Sequence, residues 1–384
     1  MIDERRVSVV IDNYNYARFL PRAIDSALAQ TWPQVEVVVV DDGSQDESRQ
    51  VIASYADRVR AVFKSNGGQG SALNAGFEQS SGDVVVFLDA DDALHPTAIE
   101  RAVPFFDDPE VVKVHWPLCV IDEDGEPTGQ RHPDDPMPDG DFRARLLELG
   151  PTNVLGPPMS GNAWSRRFLR EVLPIPEERY RISADKYLLE LAPFFGVIRA
   201  LADPEGVYRR HRTSSQLTQG LQERLRRELA LYDDYCDFLR RHFAARGIDV
   251  DLTRWKRNSW WHRQARAIDA ISSLPLADGP VILVDDGAWG QGQIDRRARL
   301  PFLERDGHYW GQPADDATAI SELERLRACG ATGLAFVWST FWWLDHYRGL
   351  AEHVRRNFDC LVENEVILAF DLRAAQRPNQ PAIS

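Results

Sequence analysis

Three aspartates directly follow an apolar stretch of the chain, and their type and spacing suit metal or phosphate chemistry. Residues 84–88 have the composition of a strand buried on both faces of a parallel sheet. Asp89, Asp91 and Asp92 then fall at the carboxyl end of that strand, the edge of an α/β sheet where ligands bind. Crowded carboxylates repel one another, and Mg²⁺ or Mn²⁺ bridging to phosphate oxygens would relieve that repulsion. The alternative is a solvated turn in which Asp91 or Asp92 caps the helix near Pro96.

The segments before this stretch predict the sheet that would position the aspartates. Apolar runs at residues 7–11, 35–40 and 59–63 predict three further strands. Helical spacing of apolar residues over 18–30, and a second helix opening at Asp46, separate these strands. Alternation of this kind predicts an α/β fold with a mostly parallel sheet and right-handed crossover connections.

A glycine-rich loop lies between the third strand and the strand that ends in Asp89. Gly67, Gly68 and Gly70 precede a predicted helix. Glycines at that position let the backbone approach a ligand closely at a helix N-terminus. We therefore expect this loop to belong to the same edge of the sheet as Asp89.

Four ordered motifs within residues 1–215 resemble those of family 2 glycosyltransferases with the GT-A fold. The motifs are Tyr14-Asn15 after the first strand, Val40-Asp41-Asp42-Gly43-Ser44, Asn66-Gly67-Gly68 with Asn74-Ala75-Gly76, and Asp89-Ala90-Asp91-Asp92. The resemblance implies a Rossmann-like GT-A domain with helices flanking the central sheet. It also implies an inverting hexosyltransferase-type enzyme, assisted by Mn²⁺ or Mg²⁺, that moves a sugar from a nucleotide-diphosphate donor to an acceptor hydroxyl.

The same resemblance implies the residues of the donor site. Asp89 would bind the ribose end of the donor, while Asp91 would bind the metal together with His211. Contacts with the nucleotide sugar are further implied for Asp12, Tyr14, Asp42, Asn66, Gly67, Gly68, Asn74 and Arg209. Asp12-Asn13 stand where the family commonly has Pro-Thr or Pro-Ala, so the resemblance does not indicate which base is bound.

Asp185 opens a predicted amphipathic helix, where an aspartate also stabilises the helix dipole. The resemblance gives this residue the role of general base for the acceptor hydroxyl. Ala184 stands where the family has an acidic residue. Ser160, Gly161 and Asn162 form a small-residue stretch that the resemblance places on the acceptor side.

The chain changes character after residue 215, where the resemblance ends. Residues 216–277 predict a helical linker, 278–373 a small α/β accessory domain and 374–384 a disordered tail. Residues 289–310 are polar, basic and aromatic, and are a candidate segment for binding an acceptor or a partner. The C-terminal half is also the candidate surface for forming a homo-oligomer.

Composition excludes several classes of partner. The 384 residues include 45 basic and 59 acidic side chains, for a formal charge of −14, which argues against nucleic acid or anionic membrane as a partner. The four cysteines show no paired spacing, so neither a disulfide framework nor a zinc site is expected. No apolar run is long enough to be a signal core or a membrane segment. We therefore predict a cytoplasmic protein with a hydroxyl-bearing acceptor such as a natural product, glycan or peptide.

Two other classes of function remain compatible with the sequence. A sugar-1-phosphate nucleotidyltransferase uses a similar sheet, but no Gly-rich, Arg-containing loop directly follows the first strand. A catalytically silent nucleotide-sugar-binding or scaffold protein is the other alternative, and Ala184 and Asp12-Asn13 are the departures that favour it. Pyrophosphate release from a nucleoside triphosphate would indicate the first, and failure to bind any nucleotide would favour a scaffold.

Overall fold

The computed structural model describes residues 5–151, 156–210, 220–289, 294 and 297–373. The chain divides into two compact units. The first comprises Met1–Ser215 and Leu231–Trp255, and the second Gln216–Ala230 and Lys256–Ser384. The segment predicted as a separate linker is thus shared between the two units. The predicted tail lies outside the described residues.

In the first unit before residue 216, the described residues form eleven strands and seven α-helices. The strands are β1 (Val7–Asn13), β2 (Val35–Asp41), β3 (Arg60–Phe63), β4 (Val84–Asp89), β5 (Ala93–Leu94), β6 (Val111–His115), β7 (Leu118–Ile121), β8 (Pro127–His132), β9 (Asn162–Ser165), β10 (Val197–Ala200) and β11 (Gly206–Arg209). The helices are α1 (Leu20–Leu28), α2 (Ser48–Ser54), α3 (Gln69–Gln79), α4 (Ala98–Ala102), α5 (Arg143–Leu149), α6 (Arg166–Val172) and α7 (Asp185–Phe195).

The central sheet has seven strands in the order β10-β6-β9-β4-β1-β2-β3. Strands β1 to β4 are mutually parallel where they pair, which confirms the predicted mostly parallel α/β sheet. Strand β9 was not predicted, and it runs antiparallel between β4 and β6. A second sheet, in the order β5-β11-β7-β8, contains the antiparallel hairpin of β7 and β8.

Strand β4 is buried on both faces, as its continuous apolar run predicts. Val85 and Phe87 pack into one hydrophobic cluster, while Val84, Val86 and Leu88 pack into the cluster on the opposite face. Each such side chain stabilises the fold by about 1.5–3 kcal/mol when fully buried. Packing on both faces fixes the register of the strand and hence the position of the aspartates at its end.

The helix α8 (Leu221–Ala244) contributes residues to both units, and α9 (Leu252–Asn258) and α10 (Trp260–Ser272) follow it. The helical segment of residues 252–272 is not continuous. Ser259 interrupts it with an extended ψ of 131°. The Ser259 hydroxyl accepts a hydrogen bond from the N–H of His262, so the serine caps a new helix.

The second unit contains a five-stranded sheet and a two-stranded hairpin. The strands are β12 (Val281–Val284), β13 (Arg299–Pro301), β14 (Glu304–Arg305), β15 (His308–Tyr309), β16 (Gly333–Val337), β17 (Asp359–Glu363) and β18 (Ile367–Asp371). The helices are α11 (Asp316–Ala328), α12 (Trp342–His346) and α13 (Arg348–Asn357). The sheet order is β13-β12-β16-β18-β17. Among the helices of the described residues, none combines the length and apolar character needed to cross a membrane.

Candidate active site

The carboxyl ends of β1 and β4 bring two of the predicted site residues side by side. The parallel register pairs Asp12 directly with Asp89. Oδ1 of Asp12 is buried and has no hydrogen-bond partner among the described residues. A buried carboxylate oxygen without a donor is costly, and this position therefore suits a ligand or a cation.

The acidic groups at this edge perturb one another strongly. Burial and, to a smaller extent, repulsion by Asp91 raise the pKa of Asp12 to about 7. Burial also raises the pKa of Asp89 well above its usual range, with repulsion from Asp12, Asp92, Asp91 and Asp185 adding to the effect. The protein alone thus leaves negative charge at this edge poorly compensated, which is typical of functional sites.

Gln69, a residue that the sequence did not single out, connects these aspartates to a helix on the other side of the site. Its Nε2 donates to Oδ1 of Asp89 at 2.9 Å, and its Oε1 accepts from the backbone N–H of Ala184 at 2.9 Å. The same side chain also opposes the rise in the pKa of Asp12. The sequence feature that could have identified Gln69 is its position at the start of α3, directly after Gly67 and Gly68 of the loop.

Asp92 differs from its neighbours because both of its carboxylate oxygens accept hydrogen bonds within the protein. The side chain is buried, with Oδ2 accepting from the Ser160 hydroxyl at 2.7 Å and Oδ1 from the backbone N–H of Arg209 at 2.9 Å. The Ser160 hydroxyl in turn accepts from the backbone N–H of Asp89 at 3.1 Å. Asp92 thus fixes the turn that carries Asp89 and Asp91, and does not itself face a ligand.

Arg209, expected at the donor phosphates, is placed in the wall of the site. Its guanidinium donates to the backbone carbonyls of Asp91, Asp122 and Glu123, each at 3.1 Å. It also lies over the ring of Phe19, with 4.6 Å between the guanidinium carbon and the ring centroid. The residue is only 5% exposed, so in this structure it secures the Asp91 loop rather than presenting a free cation.

The carboxylate of Asp42 accepts several hydrogen bonds from the glycine-rich loop and from Lys64. Lys64 Nζ donates to Oδ1 of Asp42 at 2.6 Å, and the backbone N–H groups of Gly67 and Gly68 donate at 2.9 and 2.7 Å. Gly68 has φ of +87°, and a Cβ there would lie 2.6 Å from Cα of Arg181. These contacts set the loop's shape. If Asp42 also contacted a nucleotide, its carboxylate oxygens would have to accept those hydrogen bonds in addition to the ones from the loop.

Three other residues assigned to the nucleotide sugar have different surroundings. Tyr14 is 43% exposed beyond the end of β1, and Asn66 is exposed with its side-chain oxygen accepting from Arg181 at 2.7 Å. Asn74 is buried and exchanges two hydrogen bonds with the backbone of Ile175, at 2.9 and 2.8 Å. Asn74 therefore anchors the segment that leads to α7, and the structure does not place it among the aspartates.

Asp185 is the first residue of α7, as predicted, and Ala184 is the residue that caps it. Burial raises the pKa of Asp185, although the charges of Lys186 and Lys113 and hydrogen bonds from the backbone oppose this. Repulsion between Asp185 and Asp89 contributes to the raised pKa of Asp89, so the two carboxyl groups are near enough to interact electrostatically. The methyl side chain of Ala184 cannot form a capping hydrogen bond at the start of this helix.

Lys113 is a second residue that the sequence did not single out. It lies in the middle of β6, is 1% exposed, and its Nζ is 5.3 Å from the ring centroid of Trp164. Burial lowers the pKa of Lys113 to about 7, while the charges of Asp185 and Glu190 raise it. The signal was present in the sequence, because a lysine among Val111, Val112 and Val114 breaks an apolar strand.

The small residues predicted on the acceptor side are all buried. Asn162 donates from Nδ2 to the carbonyl groups of Pro158 and Met159, at 2.8 and 3.1 Å. At Gly161, a Cβ would come within 2.6 Å of Cβ of Pro157. This stretch shapes the interior behind the site, and Ser160 contacts the aspartates through the carboxylate of Asp92 and the backbone N–H of Asp89.

A divalent cation fits the chemistry of this edge, though with few protein ligands. His211, the second ligand implied by the resemblance, lies outside the described residues. Within the described part of the chain, no group of three His, Cys, Asp or Glu side chains is arranged to hold a metal. Hard carboxylate oxygens suit Mn²⁺ or Mg²⁺, which commonly takes one or two protein carboxylates and completes its coordination with phosphate and water.

Sequence comparisons identify relatives of this chain. The model of "Glycosyl transferase family 2" matches residues 8–173. An uncharacterized glycosyltransferase of Nostoc sp. is 36% identical over 287 residues, which cover 71% of this chain and 88% of that protein. An uncharacterized glycosyltransferase of Rickettsia conorii is 38% identical over 147 residues, covering 37% of this chain and 24% of that protein.

Solved structures of glycosyltransferases also resemble the chain. S. aureus TarS 1-349 in complex with UDP-GlcNAc has a TM-score of 0.43 and 20% identity, and the match covers 68% of this chain and 81% of that one. The mannosyltransferase PcManGT from Pyrobaculum calidifontis, in complex with GDP-Man and Mn²⁺, has a TM-score of 0.42 and 19% identity, covering 70% and 75%.

Proposed function

Because the chain belongs to glycosyl transferase family 2, we propose that it moves a sugar from a nucleotide-diphosphate donor to a hydroxyl group of an acceptor. The observation that carries this proposal is the meeting of Asp12, Asp89 and Asp91 at the carboxyl edge of the sheet, with pKa values of Asp12 and Asp89 raised. Such an edge is where α/β sheets bind ligands.

The donor would lie over the ends of β1 and β4. Asp89 is already oriented by Gln69 and would accept hydrogen bonds from ribose hydroxyls. Asp91, whose loop is held by Arg209, would hold Mn²⁺ or Mg²⁺. When bound, such a cation neutralises charge on the diphosphate leaving group.

Asp185 would act as the general base. Its raised pKa makes it a better proton acceptor than an exposed aspartate, because proton transfer is most effective when the base's pKa approaches the working pH. The acceptor oxygen would form a bond to the anomeric carbon as the bond to the diphosphate breaks, and the acceptor proton would pass to Oδ of Asp185. A single displacement of this kind inverts the configuration at the anomeric carbon.

The full reaction is tested by incubating the protein and Mn²⁺ with UDP-, GDP-, dTDP- and CDP-sugars and a panel of glycans, peptides and small hydroxylated compounds. Acceptor-dependent release of a nucleoside diphosphate, with an inverted linkage seen by NMR, is the expected result. A product that retains the configuration would exclude direct displacement. Metal-dependent nucleotide binding without turnover on any acceptor would point instead to a binding protein.

A further inference from the structure

A rigid hairpin in the second unit presents an exposed tryptophan. Strands β14 and β15 are joined by Asp306 and Gly307, whose φ values of 51° and 80° suit the tight turn of a two-residue hairpin. The pairing continues beyond the strands, since the N–H of Trp310 donates to the carbonyl of Leu303 at 3.0 Å. Trp310 is 61% exposed, more than any other large hydrophobic side chain of the described residues.

Trp310 forms one wall of a cavity between this hairpin and helix α11. The cavity has a volume of about 440 Å³, within the range of about 300–1,000 Å³ typical of small-molecule sites. The residues that line it are Leu303, Glu304, Arg305, Trp310, Ala317, Thr318, Ser321 and Glu322. The Arg305 guanidinium lies over the indole, 4.6 Å from its ring, and so helps to hold the ring in place.

The polar groups of this cavity are fixed but retain hydrogen-bonding capacity. Arg325 donates to Oε2 of Glu304, and to both oxygens of Glu322 at 2.8 Å. Each carboxylate oxygen can accept two bonds, and among the described residues Oε2 of Glu322 accepts one hydrogen bond, from Arg325. Thr318 and Ser321 are both exposed, and the Thr318 side chain also interacts with Asp315 at the start of α11.

The charged side chains in and beside this cavity balance one another. Glu304 and Glu322 are negative, and Arg305 and Arg325 are positive, so the lining presents no surplus cation for a phosphate group. An aromatic face bordered by fixed hydrogen-bond acceptors and exposed hydroxyls matches the apolar C–H face and polar rim of a neutral sugar ring. A nucleoside diphosphate would lack the positive partners that its charge requires.

We propose that the cavity at Trp310 is a binding site for a neutral saccharide, separate from the donor site of the first unit. One sugar ring would lie against the open part of the indole, and its hydroxyls would bond to Glu322, Thr318 and Ser321. Only the identification of this saccharide with the acceptor glycan depends on the proposed transferase function.

Fluorine NMR of the full chain labelled with 5-fluorotryptophan gives a local test. Comparison with Trp310→Phe assigns the Trp310 resonance, and Trp342→Phe assigns a control, since Trp342 is 39% exposed and lies outside the cavity. Neutral tetrasaccharides of glucose, mannose and N-acetylglucosamine are then added separately at millimolar concentration. We expect at least one to shift the Trp310 resonance and not that of Trp342. If no saccharide shifts the Trp310 resonance, or if UDP shifts it instead, the proposed saccharide site is wrong.

The affinity of the saccharide that shifts Trp310 should fall about tenfold or more in Trp310→Ala, the scale expected for losing a stacked ring. Ser321→Ala should weaken binding to a smaller extent, while Trp342→Ala should not change it. Binding unchanged in Trp310→Ala would overturn the proposal. The same samples are tested for stabilisation by nucleotide and Mn²⁺, so a failed donor site with intact saccharide binding would reject the transferase function alone.

Discussion

Gln69 donates a hydrogen bond of 2.9 Å to the carboxylate of Asp89, and the other end of the same amide binds the backbone of Ala184 at 2.9 Å. Ala184 immediately precedes Asp185, the proposed base. One neutral side chain therefore holds the donor-side aspartate and the start of the base helix at a fixed separation. Its neutrality also matters, because Asp12 and Asp89 already repel each other.

Gln69→Glu tests this positioning role. The substitution keeps an acceptor for the N–H of Ala184 but replaces the donor to Asp89 with a further carboxylate. We expect lower turnover and a shift of the acidic limb of the pH–rate profile to higher pH, because added negative charge raises the pKa of neighbouring carboxyl groups. Gln79→Glu, at the exposed far end of α3, is the matched control. A wild-type pH profile in Gln69→Glu would show that Gln69 only fills space.

Asp185→Asn should separate binding from chemistry. The amide keeps the size of the side chain but cannot accept the acceptor proton, so we expect kcat to fall by about 10²–10⁴-fold. Nucleotide affinity should stay close to that of the wild type, because the residue does not hold the donor. Glu178→Gln removes an exposed carboxylate from the preceding loop and should leave kcat unchanged. Full activity in Asp185→Asn would remove it as the base.

Arg209→Lys distinguishes a structural from a phosphate-binding arginine. Lysine keeps the charge but lacks the fork that reaches the carbonyls of Asp91, Asp122 and Glu123. We expect the free energy of unfolding to fall by about 1–3 kcal/mol, the scale for leaving buried polar groups unpaired. Arg210→Lys, at an exposed neighbour, should have little effect in urea denaturation. Unchanged stability with weakened nucleotide binding would instead place Arg209 at the phosphates.

Lys113 gives the fold a specific dependence on pH. Its pKa of about 7 in the folded protein lies below the ordinary value of 10.5 of an unfolded chain. Between these values the unfolded chain binds more protons, so this group makes stability rise with pH, by at most about 1.4 kcal/mol per pH unit. We therefore expect Lys113→Met to be more stable than the wild type below pH 7, with the difference shrinking toward pH 10. Urea denaturation at a series of pH values measures this difference in the free energy of unfolding. A difference between Lys113→Met and the wild type that does not change with pH would contradict the expectation.

The sequence predicts the local parts of this structure better than the long-range ones. Strand β4 and the start of α7 follow from apolar periodicity and from Asp185, which need only neighbouring residues. The bond between Gln69 and Ala184 joins positions 115 residues apart, and no local pattern encodes it. The insertion of β9 between β4 and β6 is likewise a choice of tertiary pairing.

In the candidate site, too, the sequence predicts local features better than long-range contacts. The positions of Asp12, Asp89 and Asp185 at strand and helix ends could be predicted, because these strands and this helix are recognisable in the chain. The engagement of Arg209 and Asn74 with backbone groups could not, since both residues bind segments about a hundred positions away. Charge and hydrogen-bonding capacity alone do not reveal whether an arginine will face a ligand or a carbonyl group.

The most direct test of the donor site measures thermal stability with UDP, GDP, dTDP and CDP, each with and without Mn²⁺, for the wild type and Asp91→Ala. A nucleotide at about 100 times its dissociation constant stabilises the fold by about 2.7 kcal/mol. We predict that at least one nucleotide stabilises the wild type only when Mn²⁺ is present, and that Asp91→Ala loses this effect. Stabilisation independent of Mn²⁺ or of Asp91, or none with any nucleotide, would contradict a metal-assisted nucleotide-sugar site at this edge.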